Sequence, residues 1–87
     1  MLLTLETPIE IALSVAADFR ELRKRRKVSI KALSEKSGVS YSSIKRFEHT
    51  GEVSFVSLIK MVSVLNAEQE IKKLFSEIPP ESIQELI

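Results

Sequence analysis

Hydroxyl side chains stand in front of apolar, helix-spaced runs at four places, and two glycines stand behind such runs. That punctuation cuts the chain into short helices. Thr7-Pro8-Ile9-Glu10 reads as a capping box with proline at the first helical position. Ile9, Ala12, Leu13, Ala16, Phe19 and Leu22 then recur at helical spacing and carry a first helix to about Arg25. Ser29 caps a second, Ile30 to Ser37, which stops at Gly38, where a left-handed C-cap fits. Ser40 opens a third, Tyr41 to about His49, ended by Thr50-Gly51. Ser54 caps a fourth, Phe55 to Leu65, with Asn66 behind it. A fifth is expected from about Ala67 to Ile78, closed by Pro79-Pro80. There is no strand alternation, internal repeat or low-complexity segment. The reading is an all-α chain of five helices: one domain over 1–87, with its core in 7–78 and a short tail over 79–87.

Size and composition narrow the functions open to such a chain. A domain of 87 residues buries only about 60–65% of its unfolded surface, which argues against a deep catalytic pocket. It contains no cysteine, so disulfides, thiolate metal sites and a cysteine nucleophile are excluded, and the lone His49 cannot assemble a zinc site. No uncharged stretch exceeds eight residues, against the roughly 20 that a membrane span needs. The N-terminus shows no secretory pattern. Paired carboxylates, a glycine-rich phosphate loop and a Ser/His/Asp arrangement are not evident, and the serines are accounted for by helix caps. The expectation is a soluble cytoplasmic module that is not an enzyme, with no cofactor, metal, membrane or small-molecule substrate. A single Tyr and no Trp also argue against a stacking platform for single strands.

The net charge of +1 conceals a strong pattern. Residues 1–19 carry −3 and residues 47–87 carry −4, whereas residues 20–46 hold ten Lys or Arg against two Glu, a net +8. A basic middle between acidic ends is the electrostatic footprint of a nucleic-acid binder. The plainer reading is that Arg23 to Lys27 complements the negative end of a helix.

The second and third helices are about two turns each and are separated only by Gly38-Val39-Ser40. Two helices joined by so short a turn with glycine at its start form a helix-turn-helix, here over 30–49. Leu33, Val39, Ile44 and Phe47 can meet inside, leaving Tyr41, Ser42, Lys45 and Arg46 on the outer side. Those donor-rich side chains suit base edges and phosphates. An ordinary helical hairpin in a small bundle fits the same spacing.

Residues 19–66 resemble the lambda-repressor-like helix-turn-helix family, the Cro and phage-repressor (XRE-type) group. The matching positions are Leu22 and Arg23, Val28-Ser29, Leu33, Gly38-Val39-Ser40, Ile44, Phe47-Glu48, Gly51 and the Leu58 to Leu65 helix. The resemblance implies a five-helix domain with the Tyr41–His49 helix in the major groove of double-stranded DNA. It also implies a homodimer on a two-fold operator, acting as a repressor associated with the nucleoid through DNA. Three positions depart from the pattern. Ile30 stands where the family usually has a phosphate-binding Gln, Ser34 where a small Ala is typical, and His49-Thr50-Gly51 is one residue longer than the commoner loop. The tail from Leu74-Phe75 through Pro79-Pro80-Glu81 to Leu86-Ile87 resembles short members that serve as antitoxins of HipA-type kinases, so a toxin kinase is a second candidate partner.

The resemblance carries roles onto particular residues. Ser29 and Ser40 cap their helices and are placed to donate to phosphate, helped by the positive helix N-termini. Tyr41, Ser42 and Arg46 match positions that reach base edges, with Lys45 close behind and Ser43 against the backbone. Arg46 is the expected direct reader, because its planar fork pairs bidentately with guanine O6 and N7. Arg23 and Glu48 occupy positions that form a structural ion pair tying the recognition helix to the first helix. Arg20, Lys24, Arg25, Arg26 and Lys27 read mostly as a solvated face, and His49 as a helix-end residue. Apolar Met1 to Leu5 and the apolar tail after Ile71 exceed what the core needs and suggest a partner surface, with the dimer formed through the C-terminal region.

Overall fold

The computed structural model describes residues 6–76; expectations about Met1–Leu5, the end of the fifth helix at Ile78 and the tail 79–87 lie outside them. The described residues form five helices and no strand: α1 Pro8–Arg25, α2 Ile30–Ser37, α3 Tyr41–Thr50, α4 Phe55–Val64 and α5 Glu68–Lys72. Each of the first four begins where a hydroxyl satisfies an otherwise orphaned backbone N–H. Thr7 Oγ1 accepts from the Glu10 N–H while Glu10 Oε1 accepts from the Thr7 N–H, closing the capping box. Ser29, Ser40 and Ser54 accept from the N–H groups of Ala32, Ser43 and Ser57. Gly38 and Gly51 end α2 and α3 at φ of 79° and 80°, the left-handed conformation that a side chain disfavours.

The core is a single cluster of Ala16, Phe19, Leu33, Val39, Ile44, Phe47, Met61, Val62, Leu65 and Ala67. Helix α1 packs on α3, α2 packs on both α3 and α4, and α4 packs on α5. Phe19 of α1 meets Phe47 of α3 edge to face, with ring centroids 5.2 Å apart, the arrangement that the ring quadrupoles favour. The turn residue Val39 is buried with them, so the α2–turn–α3 unit is fixed from inside.

Three boundaries differ from the sequence reading. Helix α3 runs to Thr50 rather than His49, taking the extra loop residue into its last turn. Helix α4 ends at Val64, with Leu65 as its C-cap. Helix α5 is the larger correction: it spans Glu68–Lys72, and residues 73–76 are turn where the helix was expected to continue. Its N-cap Ala67 has no side-chain cap bond and none of its residues is buried. Leu74 and Phe75 are exposed, and Phe75 takes a φ of 68°. Ile71 is half-buried against the core, but Leu74 and Phe75, which continue its helical spacing, are covered by none of the described residues. Burial of an apolar face stabilises a short helix, and without it the chain passes into turns.

Candidate nucleic-acid interface

Helical geometry sets the outer face of α3. At about 100° per residue, Ile44 and Phe47 point into the core, and Ser42, Lys45, Arg46 and His49 fall on the opposite side. All four are exposed, and Tyr41 is half-exposed at the first position of the helix. Ser29 and Ser40, the caps of α2 and α3, are exposed as well.

The Ser40 hydroxyl is more committed than its sequence position implied. It accepts from the Ser43 N–H at 3.1 Å and donates to Ser43 Oγ at 2.7 Å. That arrangement leaves Ser43, whose hydroxyl proton is free, as the outward donor at this corner. Ile30, in place of the polar residue usual in the resemblance, is half-buried against the core. It lines a small cleft with Arg20, Arg23, Lys45, Glu48 and His49.

Arg23 and Glu48 meet in a nearly closed environment. Arg23 Nε donates to Glu48 Oε2 at 2.7 Å and Nη2 to Oε1 at 3.0 Å, while Nη1 donates to the Val28 carbonyl at 3.0 Å. Their side chains are only 10% and 7% exposed. The guanidinium therefore ties α1 to α3 and to the turn before α2 at once. Arg20 lies 3.9 Å from the same carboxylate, on the solvent side.

On the opposite flank of α3, Arg46 is paired with Glu52 through Nη2 and Oε1, a partner that the sequence reading missed. No helical spacing marks it, because the two residues are separated by the turn at Gly51. The one signal was the lengthened His49-Thr50-Gly51 segment, whose Thr50 hydroxyl donates to the Arg46 carbonyl and accepts from the Glu52 N–H. Arg26 is exposed, and its Nη1 also donates to the Leu65 carbonyl at 2.7 Å, a tie that the sequence did not mark. Among the described residues no helix is long and apolar enough to cross a membrane.

Two short helices at a glycine turn, the second with a polar outer face and a basic surround, define a helix-turn-helix unit. A helix-turn-helix family model matches residues 19–68, more than half of the chain. The chain thus belongs to the XRE-type, lambda-repressor-like helix-turn-helix family, whose members are DNA-binding transcriptional regulators. No curated protein and no solved structure gives a significant match.

Proposed function

We propose that this chain is a dimeric repressor that inserts α3 into the major groove of a two-fold symmetric operator. The observation that carries the reading is the outer face of α3: Ser42, Lys45 and Arg46 lie together, exposed, within the +8 stretch of the chain. In this reading Arg46 contacts guanine, Ser42 and Tyr41 read neighbouring base edges, and Ser29, Ser43 and Lys45 hold phosphates. Ser40 supports the corner by capping α3, and Arg23 with Glu48 holds the helix at its angle. No step of this activity calls for a cofactor or a catalytic group.

Dimerisation places two α3 helices about 34 Å apart, one turn of DNA. Exposed Leu74 and Phe75, at the end of the described chain, support an interface in the C-terminal region. The same exposed pair supports the second reading, an antitoxin that binds a HipA-type kinase through that end and uses DNA for autoregulation. Selection from a random duplex library at about 0.15 M salt tests the first reading. The expected result is an enriched inverted repeat, with Arg46→Ala relaxing one base pair in each half. Retention that only fades as salt rises, with no enriched sequence, overturns specific recognition and leaves the phosphate contribution alone. A monomer by light scattering at tens of micromolar overturns the dimer, and co-purification of a kinase favours the antitoxin.

A further inference from the structure

An acidic residue beside a proposed DNA reader is unexpected, because a carboxylate near phosphates opposes binding. Glu52 is such a residue, and its position is built rather than incidental. The Thr50 hydroxyl joins the Arg46 carbonyl, at 2.7 Å, to the Glu52 N–H, at 3.2 Å, so the turn after Gly51 folds back along the last turn of α3. The Glu52 carboxylate then meets the Arg46 guanidinium. Both side chains are about two-thirds exposed, at 68% and 64%. They border a concave surface of about 320 Å³ between α3 and the start of α4, lined also by Ser43, Val53, Ser54 and Ser57.

We infer that Glu52 is a specificity-determining positioning residue that acts on DNA through Arg46. This rests on the DNA-reading role proposed above for α3. A long arginine side chain loses rotamer freedom when it docks, and one already held by a carboxylate loses less. Glu52 engages Nη2, leaving other N–H donors of the fork free for the neutral acceptors O6 and N7 of guanine. Glu52 also removes the advantage that a bare arginine has on any sequence. Attraction to phosphate depends on net charge, and the pair Arg46–Glu52 is neutral. The outcome is weaker attachment to arbitrary DNA and a sharper preference at the base pair that Arg46 faces.

The test compares native protein with Glu52→Gln and Glu52→Asp, measuring affinity for the selected duplex, for its substitution at the Arg46 base pair and for random duplex, across a salt series. Glu52→Gln is expected to bind random duplex several-fold more tightly and to steepen the salt slope by about one. It should also lose about tenfold in discrimination at the single base pair. Glu52→Asp keeps the charge but shortens the reach, so it is expected to keep the native salt slope while losing discrimination. In an Arg46→Ala background Glu52→Gln should leave base preference unchanged, and melting curves should be native-like for every Glu52 variant. Full discrimination and a native salt slope in Glu52→Gln overturn the inference while the DNA-reading role stands. Equal loss of preference in the Arg46→Ala background overturns it too, since Glu52 would then act independently of Arg46. Absence of any selected sequence with the native chain overturns both.

Discussion

Helix α3 carries two arginine–carboxylate pairs on opposite flanks, and they share little beyond their chemistry. Glu48 faces inward, holds Arg23 through two hydrogen bonds and is 7% exposed. Arg46 faces outward, touches Glu52 through one pair of atoms and is 68% exposed. Solvent makes the difference. Removing two charges from water is so unfavourable that a buried pair adds little net stability, yet losing one partner strands a charge. In water an ion pair contributes about 0.2–1 kcal/mol and breaks readily. The inner pair thus sets where α3 sits, while the outer pair contributes little to the fold and lies open to solvent on the outer face of α3. The same chemistry thus acts differently on the two sides of one helix, according to how much water reaches each pair.

The largest expected effect tests the inner pair. Glu48→Ala leaves the Arg23 guanidinium buried without its carboxylate and should lower stability by about 3–5 kcal/mol, read as a fall in urea midpoint. If the loss is an unpaired charge, replacing Arg23 and Glu48 together with Leu should recover most of it. Unchanged stability in Glu48→Ala would reduce the inner pair to the standing of the outer one.

Gly51, between the two acids, tests whether the backbone shares in holding α3. A Cβ on Gly51 would lie 2.7 Å from Ala12 Cβ and 2.8 Å from Ala12 C, whereas one on Gly38 meets nothing within 4 Å. Both glycines have a positive φ, so Gly38→Ala should cost about 1–2 kcal/mol from conformation alone. Gly51→Ala should exceed that, because the backbone of α1 has to move, and thermal unfolding of the two variants side by side measures the difference. Equal losses would show that α1 yields at no cost and that the inner pair acts alone.

The smallest effect belongs to the outer pair. Glu52→Gln should change stability by less than about 1 kcal/mol, and added salt should shrink even that. A larger loss in thermal unfolding would mean that the outer pair is structural, and the contrast between the flanks would disappear.

Much of this frame was legible in the residues themselves, because capping is local chemistry. Thr7, Ser29, Ser40 and Ser54 each mark a helix start within three residues of the N–H they satisfy. The outer face of α3 followed from helical spacing in the same way. The end of α5 was hidden, since Leu74 and Phe75 continue the helical spacing of Ile71 but find, among the described residues, none of the core contact that Ile71 has. Two side-chain ties were hidden for a related reason. Arg46 to Glu52 crosses a turn, and Arg26 to the Leu65 carbonyl joins residues 39 apart, so no local rule reaches either.

The bond from Arg26 has a consequence for how the molecule opens. It joins the turn after α1 to the end of α4, so the whole reading unit lies inside a loop fastened at both ends. Fraying begins where few buried contacts hold an end, and α2, α3 and α4 have no free end. Amide exchange should therefore start in α5, which buries none of its residues, and reach α2 through α4 together, as one cooperative event. The surface offered to DNA keeps its shape until that whole loop comes apart.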